Sequence, residues 1–458
     1  MQARAATLAA LALAAAGCGD GLVTPPEREP TSGSRLVLMW LGYDNGARQL
    51  HRDEVFDLVE GAPCRPLRWP DGAVRCTPVA DDAVYVDAAC TRAVGRTRAR
   101  LPPTHFIGRD RVAGVLTPTR LYRAGPVVDP VTTIYERRDD VCVGPFTAAG
   151  GLVHHAVGAQ VDVTSLAPID EHDDDGDGDG AGAGGRLAVH TWRSPDGLSL
   201  PAAVLDRALG VACEPTVEPD GRVRCHPRGA TVTNKFADPA CRQPVVVATA
   251  PPSSPLVEVT DDAGCSRYHR VGGERSGPVF VLNNGNCFAH APEPGERFFD
   301  VVEPVALAEL DRTVEQEPWR RLQRIVLSAG AIRVADDRMF DTATGADCRP
   351  VEVDGALRCM PEVIAAATTS LFGSSSCALP APVALLPQPT CGPARFARDP
   401  AAVAGALQLV GDPRPTAPYQ FVFGQCAPYT PPADQVVHDL GPVLAPTLFV
   451  HAVRFGDR

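Results

Sequence analysis

The sequence predicts an all-β protein assembled from three internal repeats of about 140 residues. Three observations lead there. One cysteine-bearing pattern recurs three times, the runs between its fixed points are short and rich in Val, Ile, Tyr and Phe, and Gly, Pro and Asp interrupt them at short intervals. The chain has 458 residues, including 42 Gly and 45 Pro. That load argues against long continuous helices and, lacking a three-residue period, against collagen. With 45 % hydrophobic residues there is material for a sizeable core, so the chain is not globally disordered. The 43 basic and 55 acidic residues give a net charge of −12, the wrong sign for nucleic acid as the main partner. Lys235 is the only lysine; with the abundance of Ala, Pro, Gly and Val, this reads as the coding bias of a GC-rich bacterial genome.

The first element is a targeting segment. Met1 to Arg4 is a short basic stretch, and Ala5 to Ala16 is an apolar run too short to span a bilayer. It ends in Ala15-Ala16-Gly17-Cys18, which has the form of a bacterial lipobox with Ala15 where leucine is usual. Residues 1–17 are expected to be a lipoprotein-type signal peptide, with Cys18 lipidated and the membrane its partner through that lipid. Parity agrees: 15 cysteines less Cys18 leave 14, an even number. Residues 18–33 read as a flexible tether. No later run reaches about 18 apolar residues.

The repeats follow. The pattern Phe56-Asp57, Gly61, Cys64, Pro66, Asp71-Gly72, Arg75-Cys76, Pro78 returns as Leu205-Asp206, Gly210, Cys213, Pro215, Asp220-Gly221, Arg224-Cys225, Pro227. It returns again as Phe340-Asp341, Gly345, Cys348, Pro350, Asp354-Gly355, Arg358-Cys359, Pro361. Each copy continues through an aromatic residue to a third cysteine, from Tyr85 to Cys90, Phe236 to Cys241 and Phe372 to Cys377. Each is preceded by an apolar run led by an arginine: Arg35, Arg186 and Arg324. A smaller motif, an apolar residue followed four residues later by glycine, recurs twice per unit, as in Leu121 to Gly125 and Leu407 to Gly411, with the glycine lost in one copy, Phe298 to Val302. A further cysteine lies between its two copies: Cys142, Cys287 and Cys426.

These matches place the units at 34–171, 185–311 and 322–456, with an acidic Gly-rich linker at 172–184 and a connector at 312–321. Two half-unit motifs per unit favour a β-propeller of about six blades, two per repeat; three tandem β modules are the alternative. Only Pro304 to Arg324 has the polarity and spacing of a helix.

An oxidising compartment is the natural home for so many cysteines. Cys64–Cys76, Cys213–Cys225 and Cys348–Cys359 each bracket an Asp-Gly turn, and cysteines facing each other across such hairpins fall within disulfide reach. If all units share one scheme, the second set is Cys90–Cys142, Cys241–Cys287 and Cys377–Cys426, leaving Cys265 and Cys391 to pair across units or stay free. The rival scheme joins Cys241–Cys265 and Cys377–Cys391 and strands Cys287 and Cys426. Zinc needs close Cys-x-x-Cys or Cys/His spacing, which is absent, so no metal site is expected.

The run Asp173 to Gly180 resembles the start of a calcium loop, but Gly184 stands where the bidentate glutamate belongs. It reads as a solvated linker, with weak calcium binding the alternative. His154 and His155 are adjacent, and neighbours on a strand face opposite ways. No nucleophile elbow, His-Glu-x-x-His or phosphate loop occurs, so no catalytic residue and no cofactor is assigned. Asp57, Asp206 and Asp341 recur in every unit, which fits a turn-capping role better than catalysis. Arg75, Arg224 and Arg358 are candidate buried partners for them.

With its lipobox-like start and its Phe-Asp, Gly, Cys-x-Pro, Asp-Gly, Arg-Cys-x-Pro repeats, the chain resembles uncharacterised cysteine-containing lipoproteins of GC-rich bacteria such as myxobacteria. That resemblance implies a location and no activity. The resulting expectation is a non-enzymatic, lipid-anchored protein of the cell envelope, at the outer membrane or cell surface rather than free in the periplasm. Its stapled β scaffold would present a surface to a protein or glycan partner, with residues 95–120, 248–265 and 392–406 as contact loops. The alternatives are a secreted or envelope hydrolase or lyase on a propeller scaffold, and a structural envelope component without a specific ligand.

Overall fold

A computed structural model of the chain describes residues 29–98, 103–112, 115–138, 140–174, 185–218, 220–228, 231–232, 234–248, 252, 254–260, 266–283, 286–292, 296–317, 319–330, 332–353, 355–361, 365–368, 371–378, 381, 383–387, 396–398, 407–422, 424–431 and 435–456. The protein is all-β: among the described residues there is no α-helix, and only two short 3-10 turns, Val163–Ser165 and Pro446–Leu448, break the run of strands.

A four-strand antiparallel meander occurs three times. The first comprises Leu36–Tyr43, Arg48–Asp57, Ala62–Arg68 and Val74–Pro78. The second comprises Leu187–Arg193, Ser199–Asp206, Val211–Val217 and Val223–Pro227. The third comprises Leu322–Ala329, Ile332–Asp341, Ala346–Val353 and Ala356–Pro361. Their registers agree: Leu36 pairs with Asp57, Leu187 with Asp206 and Leu322 with Asp341.

A fifth strand, Asp170–Asp174, Glu309–Glu315 or His451–Gly456, lies between the end of one meander and the start of the next, giving one 15-stranded ladder. The three junctions are alike: the amide of Cys76 donates to Ala167 O, that of Cys225 to Ala308 O and that of Cys359 to Val450 O. The first of these, with Ile169 N donating to Val74 O and the bridge between Arg75 and Pro168, joins the two ends of the ladder. The ladder therefore closes on itself and leaves no edge strand to be protected.

Packing explains why three copies are needed. The first meander buries Leu36, Leu38, Val55, Cys64 and Cys76 together with Leu198 and Leu200 of the second meander. The second buries Val189, Val204 and Cys213 with Ile332 and Val334 of the third. The third buries Met339, Cys348 and Cys359 with Leu41 and Tyr43 of the first. Each apolar face is completed by the next meander, so no copy closes a core alone.

Between its fourth and fifth strands each repeat inserts a second sheet. In the third repeat this is a closed barrel of Ala365–Thr368, Val383–Pro387, Phe396–Arg398, Leu407–Pro413 and Gln435–Leu444. The first and second inserts share its unusual parallel pairing: Ala80 with His105, Thr231 with Val257 and Ala365 with Ala397. The half-unit glycines sit where two insert strands cross closely. A Cβ at Gly125 would lie 2.7 Å from Ala156 O, and one at Gly411 would lie 3.0 Å from Asp439 O.

Several expectations are corrected. The meanders share one continuous ladder, whereas propeller blades are discrete sheets, so the six-blade arrangement is not what these strands build. Pro304 to Arg324 is not helical: it contains the strand Glu309–Glu315 and the start of Leu322–Ala329, because its apolar positions pair with flanking strands on both sides. That strand runs across the expected unit boundary at 311, just as Asp170–Asp174 runs across the one at 171. Within the acidic run, Asp173 and Asp174 face His190 and Arg193 at 2.8 and 3.0 Å; residues 175–184 lie outside the described residues. Among their described residues, segments 95–120, 248–265 and 392–406 carry the strands His105–Val112, Leu256–Thr260 and Phe396–Arg398, where contact loops were expected. Parts of each, 99–102, 113–114, 249–251, 253, 261–265, 392–395 and 399–406, lie outside the described residues.

Candidate functional site

The cysteines act as staples. In the meanders the structure joins Cys64–Cys76, Cys213–Cys225 and Cys348–Cys359, and in the inserts Cys90–Cys142, Cys241–Cys287 and Cys377–Cys426. The meander cysteines are not directly opposed. Cys64 pairs with Pro78 and Pro66 with Cys76, so the bridge runs diagonally, across a Cα separation of 5.2 Å. In the third meander Val353 pairs with Ala356, which shortens the connection to two residues. In the inserts, Cys90, Cys241 and Cys377 all take left-handed backbone (φ 51°, 52° and 49°), at turns where their amides donate to Asp87 O, Asp238 O and Ser374 O. Cys18, Cys265 and Cys391 lie outside the described residues.

The recurring aspartates are clamps. Asp57, Asp206 and Asp341 are fully buried. Asp57 Oδ1 accepts from the amides of Val59 and Glu60, Asp206 Oδ1 from Ala208 and Leu209, and Asp341 Oδ1 from Ala343. Their charged partners are Arg35, Arg186 and Arg321, at 2.8, 2.7 and 2.7 Å, not Arg75, Arg224 and Arg358. Arg75 and Arg224 reach instead to Asp71 and Asp220 at the hairpin tips, and Arg358 donates to Phe449 O. The strand-leading arginine of the third unit is thus Arg321, three residues before Arg324. The same three arginines donate onward to Ser165 O, Ala306 O and Leu448 O. Each clamp ties a strand start, a turn and the chain returning from the insert.

The candidate binding site lies where the meanders meet. The second strand of the first meander packs against the second strands of both others. A cavity of about 660 Å³ opens among them, within the range of small-molecule sites. Five residues before the clamp aspartates stand Arg52, Pro201 and Asp336, and all three line it. Scaffold positions repeat, but these wall positions carry a cation, a neutral residue and an anion. Arg48 caps one wall, its guanidinium carbon 5.0 Å from the Trp40 ring and 4.8 Å from the Phe455 ring. On another wall Arg333 reaches Glu315 at 2.7 Å, and Arg324 approaches the same carboxylate at 3.5 Å.

Beside the cavity lies a buried polar cluster that draws on all three repeats. Arg338 grips Asp336 with two bonds of 3.0 and 2.6 Å, both side chains 2 % exposed, and also donates to Pro215 O. Burial alone would push the Asp336 carboxyl up, but the Arg338 bonds outweigh it and hold it below the usual range. Asp337 is pushed up to about 6 by burial and by its hydrogen bond with Asp336. Arg349 pairs with Glu214, and Gln49 donates to Asp337 O while accepting from the Tyr43 hydroxyl. A smaller cavity of about 50 Å³ adjoins, sharing Arg52, Ala335 and Asp336.

Sequence reasoning missed this site. Its walls come from segments hundreds of residues apart and do not repeat; the signal to be found was a run of three charged residues in the middle of a strand, at Arg52 to Glu54 and Asp336 to Arg338. His154 and His155 are both buried, on an insert strand away from the cavity. Among the described residues no group of three or more His, Cys, Asp and Glu is disposed to hold a metal, and no helix is long and apolar enough to cross a membrane.

A family model spans residues 11–449, nearly the whole chain. The protein belongs to DUF7481, a family of unknown function. No curated protein and no solved structure matches it. For this DUF7481 member, function must therefore be argued from the staples, the clamps and the cavity.

Proposed function

We propose that this DUF7481 member is a non-enzymatic, lipid-anchored protein of the bacterial cell envelope. Cys18 carries the lipid, the segment between it and Glu29 holds the body off the membrane, and the stapled scaffold presents its cavity and surrounding surface to a protein or glycan partner; the expected tether is shorter than 18–33, because Thr31 pairs with Ser199 and Glu29 and Pro30 line the cavity. The observation that carries the location is the six disulfides among the described residues, which belong in an oxidising compartment. What supports binding rather than chemistry is that the charged wall residues are already engaged: Arg333 with Glu315, Asp336 with Arg338, and Arg48 with the Trp40 face. Fractionation of cells expressing the wild type and Cys18→Ala tests the anchoring. Membrane-bound wild type with a soluble variant supports it; soluble wild type with reduced cysteines overturns it.

A second reading, an envelope hydrolase or lyase, draws on one observation. Asp337, pushed up to about 6, sits beside an ionised Asp336, the arrangement acid–base hydrolases use. Asp337 lines the cavity of about 50 Å³ rather than the larger one, and that cavity leaves little room for a substrate.

A further inference from the structure

We infer that the second insert is a hinged arm, latched to the ring by a polar relay, while the first and third inserts are fixed to it. Three equivalent places in the repeats carry the argument. At the tip of the last hairpin of each meander stand Trp69, Glu218 and Val353, and just after the fourth-strand cysteine stand Thr77, His226 and Met360. In the inserts, Leu121, Tyr268 and Leu407 each stand four residues before a glycine of the half-unit motif.

In the first repeat one apolar cluster joins ring and insert. It takes Trp69 from the meander, Ile107 and Leu121 from the insert, and Val161 and Leu166 from the returning chain. The third repeat does the same with Val353 and Met360, Phe396 and Leu407, and Phe449. In the second, the clusters of the insert, built around Val245 and Val246, hold no meander residue among the described residues. A chain of hydrogen bonds stands where the plug would be. His226 Nε2 bonds the Glu218 carboxylate at 2.6 Å, and His226 Nδ1 bonds the hydroxyl of the buried Tyr268 at 3.1 Å. Tyr268 pairs across its strand with Glu258, whereas Leu121 pairs with Ile107. The returning chain differs too. Short 3-10 turns lead into Leu166 and Phe449, but none stands between Val305 and Ala308.

These differences decide how each insert is held. An apolar plug separates only by exposing its faces to water, at a cost that grows with their area. The relay's groups exchange their bonds for bonds to water when they part, so their net contribution is small. Arg270 adds a bond to Ala208 O of 3.5 Å, at the outer limit of hydrogen-bond length. Relative motion is the rule at polar junctions within a chain and the exception at large apolar ones. The ring thus carries two fixed inserts and one that swings without the ring unfolding.

The test is a pulsed electron-resonance distance measurement on the full mature protein. Spin labels are attached through a genetically encoded keto amino acid, so that the cysteines stay paired. One label pair joins the exposed positions Val217 and Gly273 across the second junction; the other joins the equivalent exposed positions Glu352 and Asp412 across the third. The second junction should give a broad or two-peaked distribution and the third a single narrow one. Grafting the third repeat's residues, Glu218→Val/His226→Met/Tyr268→Leu, should narrow the second distribution to the width of the third. Glu218→Gln, which weakens the relay at constant shape, should raise the ratio of swung to latched arm about fivefold or more. Melting temperature and disulfide content show that each variant is folded; if the graft is not, Glu218→Gln decides alone. A wild-type second junction as narrow as the third overturns the inference. So does a broad one that neither the graft nor Glu218→Gln alters, because the relay is then not the latch.

Discussion

Replacing Asp206 by alanine removes the centre of a clamp. Asp206 is fully buried and accepts from Arg186 Nε at 3.0 Å and Nη2 at 2.7 Å, and from the amides of Ala208 and Leu209 at 3.1 and 3.3 Å. Alanine takes the acceptor from the Ala208 amide and the carboxylate from the Arg186 guanidinium, while Leu209 N keeps its bond to the residue 206 carbonyl and Arg186 its bond to Ala306 O. Breaking a fully buried ion pair costs about 3–5 kcal/mol. The Arg186 side chain is 35 % exposed and turns partly to water, which lowers the expected loss to about 2–4 kcal/mol. Asp206→Asn keeps an acceptor for the turn amides but loses the charge, so it should cost about 1–2 kcal/mol. The assay is guanidinium denaturation of the oxidised protein followed by tryptophan fluorescence and circular dichroism. Asp57→Ala and Asp341→Ala should behave like Asp206→Ala, because the same clamp recurs, whereas Asp71→Ala at an exposed hairpin tip should be near-silent. A loss below about 1 kcal/mol for Asp206→Ala, or equal losses for alanine and asparagine, would refute the clamp reasoning.

Other outcomes follow from the same geometry. Loop-closure entropy predicts a loss of about 3 kcal/mol for Cys213→Ala/Cys225→Ala and about 4 kcal/mol for Cys241→Ala/Cys287→Ala, whose bridge closes the longer loop; melting temperatures check the order. Because Cys241 has left-handed backbone at φ 52°, Cys241→Gly/Cys287→Ala should be more stable than the matching double alanine variant by about 1 kcal/mol. Gly125→Ala should cost about 1–3 kcal/mol in thermal unfolding, since its Cβ would press on a strand carbonyl rather than on a movable side chain. Asp337, raised to about 6 amid Arg338, Arg349, Glu214 and Asp336, favours its neutral form in the folded state. Its contribution is therefore present below the unfolded carboxyl value and lost as pH rises through about 6. Asp337→Asn should be the more stable protein at neutral pH, by about 1 kcal/mol after screening of a side chain that is 40 % exposed, and the advantage should vanish in acid.

Much of the fold was legible because the repeated residues are those that build it. Asp57, Cys64, Gly72 and Cys76 and their counterparts fix a clamp, a staple and a hairpin turn, and such roles leave the same trace wherever the meander recurs. The ring was not legible, because it depends on how the fifth strand of one repeat pairs with the first of the next. The strand Glu309–Glu315 looked helical for the same reason: its partners lie outside its own segment, and its polarity reflects a face turned to solvent. The clamp arginine was misassigned because Arg75 is closer in the motif, whereas Arg35 reaches Asp57 across the strand pair. The cavity left no periodic signal at all, since Arg52, Pro201 and Asp336 occupy equivalent places with unlike chemistry. A repeat comparison discards such positions as noise, and they are where one wall of the cavity comes to differ from another.

The most direct test of the account is a non-reducing mass and disulfide map of the protein recovered from its native membrane fraction. The account predicts a chain beginning at a lipid-modified Cys18, with Cys64–Cys76, Cys213–Cys225 and Cys348–Cys359 closed in the meanders and Cys90–Cys142, Cys241–Cys287 and Cys377–Cys426 closed in the inserts. A chain that retains Met1, carries no lipid and shows free thiols at those twelve cysteines would contradict it.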